Sequence, residues 1–266
     1  MLKRKLICAA LVVSAVLSQG SAALASKRLP YYMKENEMRY QKYMVFNKGI
    51  TYENTLRLVN ARVDLEFYSQ PVVIENPDDL LVLCSKNWRF SSDYEPSDLR
   101  NVGATGVQLR NNAAGALEQM MDAMYLDGLG LAVISGYRSY ATQKYLYNSR
   151  INSYGSIAAA DRDTARAGHS EHQTGLAVDI LQKVVRPLGN ANFQNTEQYQ
   201  WLKEHAHEYG YIERYPREYV SITGFSWEPW HWRFIGTEAA TAMKINGYVV
   251  FEQYWGEVAF LEDEVE

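Results

Sequence analysis

Apolar positions recur at helical spacing in the middle of the chain. Ala113, Leu117, Met120, Met121 and Met124 form one stripe, and Gly128 follows as a stop, which predicts a helix from about residue 112. LAVIS (131–135) is short and apolar and predicts a buried strand, after which Ser139 can cap a helix running to about Arg150. SIAAADRDTARAG reads as a further helix. In GLAVDI the period changes to two: Leu176, Val178 and Ile180 point one way into a core, and Ala177 and Asp179 point the other. Thr196 can cap a helix through Tyr209, with Tyr199, Leu202, Ala206 and Tyr209 on one face. HWRFIG predicts a strand and TEAATAMKING a closing helix stopped by Gly247. Upstream, YYMKENEMRYQKYMVF and TYENTLRLVNARVDL read as short helices. PVVI and LLVLC are strand-like, and SSDYEPSDLRNV is a turn-rich link. Helices come first, and strands follow without regular βα alternation. The fold class is therefore α+β.

The first 25 residues follow a different grammar. Lys3, Arg4 and Lys5 make a basic start, an apolar run follows from Leu6 to Leu17, and Ala23-Leu24-Ala25 has the small-x-small form of a signal-peptidase site. Residues 1–25 read as a secretory signal peptide. The apolar run is short for a bilayer span, so no stable membrane insertion is expected after cleavage. Residues 26–70 are polar and rich in tyrosine, and the main domain follows them.

Charge and cysteine content narrow the function. The net charge of −4 includes the three basic residues of the signal, so the rest of the chain is more acidic still. No basic patch stands out, and nucleic acid is not an expected partner. Beyond the signal only Cys84 remains, which cannot form an internal disulfide; LLVLCSK places it as a buried strand residue. The 20 tyrosines and 6 tryptophans suit a packed core and an aromatic-lined groove.

The candidate chemistry lies in three short segments. SEHQTGLAVDI sets His172 just before a strand on which Asp179 points away from the core, beside the small Ala177, with Gly175 allowing the chain to fold back. Imidazole and carboxylate are ligand types zinc takes, and a zinc site needs a third protein ligand. EPWHWRF offers His231 at the start of a strand. Glu228 stands three residues earlier on a turn held by Pro229, where a carboxylate near a metal but not on it can act as general base. SGYRS emerges from the buried strand 131–135 and presents Arg138, whose planar fork suits a carboxylate or an oxyanion. His169 makes a His-x-x-His with His172 but reads as a hydrogen-bonding residue, and His205 and His207 read as helix-surface residues. There is no His-Glu-x-x-His, and neither Ser135 nor Ser139 has a lysine three residues on.

SGYRS with Gln143, then SEHQTGLAVD, RYP and EPWHWRF, resembles the VanY-type zinc D-alanyl-D-alanine carboxypeptidases of bacterial walls, a group similar in fold to lysostaphin and the hedgehog signalling domain. The likeness covers roughly residues 75–255, and residues 26–75 more weakly resemble the N-terminal helical leader of many secreted members. It implies a small central antiparallel sheet flanked by helices, with 76–266 as a catalytic domain. It also implies one Zn2+ per chain on His172, Asp179 and His231, with Glu228 as the base and Arg138 stabilising substrate or transition-state charge. Gln143, Ser170 and Tyr215 match positions that, with Arg138, hold the C-terminal D-residue. The chain departs from many members at ARAGHS, where they carry a proline before the glycine. The function implied is a secreted, cell-wall-associated enzyme that takes D-alanine from peptidoglycan stem peptides. An L,D-carboxypeptidase on tetrapeptide stems would use the same metal site. A non-catalytic peptidoglycan-binding module with a structural zinc is the reading of another class. The sequence carries no sign of oligomeric state.

Overall fold

The computed structural model describes residues 29–183 and 190–261, so the signal segment 1–25 lies outside the described residues. Among the described residues, no helix is long and apolar enough to cross a membrane. The chain divides into two compact units: Met1–Asp64 with Glu252–Glu266, and Leu65–Phe251. The sequence reading placed this division at residue 75 and kept the C-terminal residues with the catalytic part.

The first unit carries helices Glu37–Phe46 and Tyr52–Asn60. Thr51 caps the second by accepting from the Asn54 amide. Tyr31, Tyr40, Leu56 and Val59 form its core. Long-range polar contacts bring in the C-terminal residues: Arg57 Nε pairs with Glu257 Oε2 at 2.6 Å, and Asn60 Nδ2 donates to Gly256 O at 3.0 Å.

The second unit is built on four strands, β5 (Leu131–Ser135), β6 (Ala177–Gln182), β7 (Tyr211–Glu213) and β8 (His231–Phe234), after four short ones, β1 (Val72–Val73), β2 (Trp88–Arg89), β3 (Leu99–Asn101) and β4 (Gln108–Arg110). Strands β5 to β8 form a sheet in the order β5-β6-β8-β7, antiparallel throughout. This is the small antiparallel sheet of the expected α+β fold. Helix Asn111–Leu126 buries Ala113, Leu117, Met120 and Met124, with Met121 half-buried. In the same core lie Leu176, Val178 and Ile180 with Trp232 and Phe234. One face of β6 and β8 is thereby apolar. The alternation leaves Ala177, Asp179, His231 and Arg233 for the other face.

Helix caps follow the sequence. Ser139 accepts from the Thr142 amide and starts helix Tyr140–Tyr154, and Thr196 accepts from the Tyr199 amide and starts Glu197–His205. The second helix tightens to 3-10 over Ala206–Tyr209 before Gly210, so it does not run on to Tyr209 as one α-helix. The helix expected over 156–168 covers only Ile157–Asp163, beyond which Thr164 is extended. LLVLC is not a strand. Val82, Leu83 and Cys84 are buried on irregular backbone, and the Leu80 and Val82 carbonyls accept from Arg233 Nη2 at 3.1 and 2.9 Å. A buried guanidinium takes the acceptors a neighbouring strand would have used.

Gly175 closes the turn between His172 and β6 at φ 65°. A Cβ there would lie 2.8 Å from Leu99 Cδ2 and 3.0 Å from Arg110 Cγ. Gly175→Ala is expected to destabilise the fold by about 1–2 kcal/mol from the left-handed conformation alone, with the clash adding to it. Urea unfolding measures this, and unchanged stability would show that the turn relaxes freely.

Candidate active site and metal centre

Strand register assembles the site. Asp179 on β6 stands opposite Ser135 of β5 on one side and His231 of β8 on the other. His172 reaches the same place from the 3-10 turn Glu171–Thr174, which Ser170 caps by accepting from the His172 amide. His172 Nε2 lies 3.2 Å from Asp179 Oδ2, and His231 Nδ1 lies 3.1 Å from Asp179 Oδ1. The three side chains can each turn one ligand atom inward, all within 4.8 Å of one another. The two rings are 5.0 Å apart and nearly perpendicular.

Two imidazole nitrogens and one carboxylate oxygen are a zinc donor set. The outer nitrogens fit the same role. His172 Nδ1 is held 2.7 Å from the Gly136 carbonyl, and His231 Nε2 lies 3.4 Å from Glu171 Oε2. Partners of this kind on the far nitrogen fix which nitrogen faces a metal. Burial alone would raise the Asp179 pKa, but His172 and His231 hold the carboxyl well below the usual range, in its ligating form.

Glu228 lies beside this set. Its Oε2 is 3.9 Å from His231 Nδ1, and burial pushes its pKa up to about 8. Arg138 brings a mostly buried guanidinium to within 4.0 Å of Asp179 Oδ2. Its fork is fixed by Gln143 Oε1 at 2.8 Å and Ser135 Oγ at 3.0 Å. Gln143 in turn donates to the Ala165 carbonyl at 2.7 Å, so it is engaged on both sides within the protein. Tyr215 packs its ring 4.9 Å from that of His231 and is buried, like Ser170. Arg138, Gln143, Ser170, Tyr215, Glu228 and the three converging side chains line one cleft of about 490 Å3, which Leu146, Ser149, Arg150 and Ser153 of helix Tyr140–Tyr154 also line.

The remaining histidines lie outside the cluster. His169 Nδ1 is 2.8 Å from the Ser85 carbonyl, and burial lowers its pKa to about 4. His205 pairs with Glu208 on the helix surface.

Sequence reasoning missed three residues beneath the cluster: Glu171, Arg214 and Arg233, all fully buried. Arg214 Nε and Arg233 Nη1 both contact Glu171 Oε1, at 2.8 and 3.0 Å. Burial opposes ionisation of Glu171, yet the two guanidinium groups hold its pKa far below the ordinary value. The signal was present in HWRF, where two-residue alternation puts Arg233 on the face of His231. Ala177 lies directly opposite Arg233 in the ladder. Its small side chain suits a position directly across from a guanidinium.

Residues 106–237 match the VanY D-alanyl-D-alanine carboxypeptidase family. A D-alanyl-D-alanine carboxypeptidase of Enterococcus faecalis is 38% identical over 210 residues, covering 76% of this chain and 71% of that protein. Among solved structures, the LdcB LD-carboxypeptidase superposes with a TM-score of 0.65 at 36% identity, covering 71% of this chain and 91% of that one. A vancomycin-resistance D,D-pentapeptidase VanY variant in complex with Zn(II) superposes with a TM-score of 0.58 at 34% identity, covering 65% and 97%.

Proposed function

Because the chain belongs to the VanY family of zinc D-alanyl-D-alanine carboxypeptidases, we propose that it is an exported enzyme that removes the C-terminal D-alanine from peptidoglycan stem peptides, with zinc on His172, Asp179 and His231. The observation that carries this reading is the convergence of those three side chains beside the buried carboxylate of Glu228 in one open cleft. A purely structural zinc site is closed and has no use for an unligated base. The basic-apolar start of the chain supports export.

When bound, zinc supplies Lewis acidity, polarising the scissile carbonyl and lowering the pKa of a water molecule. Glu228 takes the proton from the attacking water and returns it to the leaving amine. Arg138, held in place by Gln143 and Ser135, offers positive charge where the carbonyl oxygen becomes an oxyanion. With Ser170 and Tyr215 it also reads the terminal carboxylate, for which a planar fork and hydroxyl donors are suited.

The likeness to an LD-carboxypeptidase favours a second reading, cleavage of tetrapeptide stems with the same metal set. D-alanine release from pentapeptide and tetrapeptide stems separates the two. The proposed activity requires release from the pentapeptide, and release from the tetrapeptide alone would establish the second. A stem ending in an amide instead of a carboxylate is expected to be cleaved about 10–100-fold less efficiently in kcat/KM, the loss of a charge-assisted hydrogen bond. Equal cleavage of acid and amide would mean that the cleft does not read the terminus.

A further inference from the structure

Beneath the metal set lies a charged group that the catalytic steps above do not use. Glu171 immediately precedes His172, and its side chain is fully buried. One of its oxygens, Oε1, is taken by both Arg214 and Arg233. The other, Oε2, faces His231 Nε2 at 3.4 Å, while Nδ1 of the same ring faces Asp179 at 3.1 Å. Arg233 is itself tied down, donating to the Phe234, Leu80 and Val82 carbonyls. The carboxylate is thus held by two guanidinium groups on one oxygen and turned toward the imidazole with the other.

We propose that Glu171 is a positioning residue that fixes the tautomer and ring orientation of His231, so that Nδ1 and not Nε2 faces the metal. The proposal rests on the zinc reading above. A neutral imidazole carries one N–H, and a ring that offers Nδ1 to a metal must carry that hydrogen on Nε2. An acceptor at Nε2 selects this tautomer and resists a ring flip. His172 solves the opposite problem: its Nδ1 faces the Gly136 carbonyl, so Nε2 is the nitrogen left for Asp179 and the metal. That acceptor is backbone, which no side-chain substitution removes. Glu171 is the orienting partner that substitution can change, and an outer carboxylate on a ligating histidine also raises the ligand's basicity.

A merely structural ion cluster would occupy the same space, so the test must read the metal site itself. In the full chain, Glu171→Gln keeps the volume but removes the charge. Competition with a chromophoric chelator is expected to show zinc bound about 10–100-fold more weakly, at unchanged stoichiometry and unchanged circular dichroism. Wild-type zinc affinity in that folded variant would overturn the proposal. Should the variant not fold, the wild-type chain decides. Loaded with cadmium-113 and labelled with nitrogen-15 at histidine, it is expected to show metal coupling to Nδ1 of His231 and to Nε2 of His172, with a proton on His231 Nε2. Coupling to His231 Nε2 would overturn the assignment. Failure of the wild-type chain to bind either metal would overturn the metal reading, and this inference with it.

Discussion

Glu228→Gln is expected to lower turnover of a D-alanine-terminated stem peptide by about 10²–10⁴-fold while leaving the zinc content unchanged. The amide keeps the shape and hydrogen-bonding reach of the carboxylate but accepts no proton at neutral pH. The residue sits 3.9 Å from His231 Nδ1, near enough to serve a water molecule at the metal without being one of the three converging ligands. Steady-state kinetics paired with elemental analysis checks the prediction. Turnover near that of the unaltered chain would remove Glu228 from the mechanism, and a parallel loss of zinc would make it a ligand.

His172→Ala and His231→Ala are each expected to leave protein that purifies without zinc, where the unaltered chain carries one ion. Each substitution removes one of three protein donors, and the two that remain are fewer than the three protein ligands a catalytic zinc site uses beside its open position. The two variants should differ in what else they disturb. The ring of His172 packs between the Gly136 carbonyl and Asp179, whereas removing His231 also leaves Glu171 facing an empty space beside two guanidinium groups. His231→Ala should therefore lose more stability than His172→Ala when both are compared without metal, because it strips a partner from a fully buried carboxylate. Elemental analysis and thermal unfolding read the two effects. Undiminished zinc in both variants would sink the metal assignment.

Much of this was legible in the chain. Val178 and Ile180 against Ala177 and Asp179 is a pattern of period two. A strand must put such residues on opposite faces, so the inward core and the outward carboxylate followed from local geometry. Ser139 and Thr196 announced helix starts because a hydroxyl at that position can satisfy an orphan amide wherever the helix later packs. The proposed zinc donors, His172, Asp179 and His231, were legible because they stand in short motifs that resemble those of a known family. These are properties of a residue and its near neighbours.

What the sequence could not decide depended on partners far along the chain. LLVLC has the composition of a strand, yet its carbonyls are claimed by Arg233, about 150 residues away, and no ladder forms. Residues after Glu252 carry no mark of belonging with the N-terminal helices, but the ion pair from Arg57 to Glu257 and the Asn60 contact to Gly256 place them there. In the sequence, Glu171 is only an acidic residue next to a histidine. Only the register of β6 against β8, and the loop that brings in Arg214, turned it into a buried carboxylate aimed at His231. The sequence by itself determined the faces, the caps and the donor types, because each rests on local backbone geometry and side-chain chemistry. The tertiary structure alone decided which buried charges meet, because a charge is stable out of water only beside partners that folding brings together.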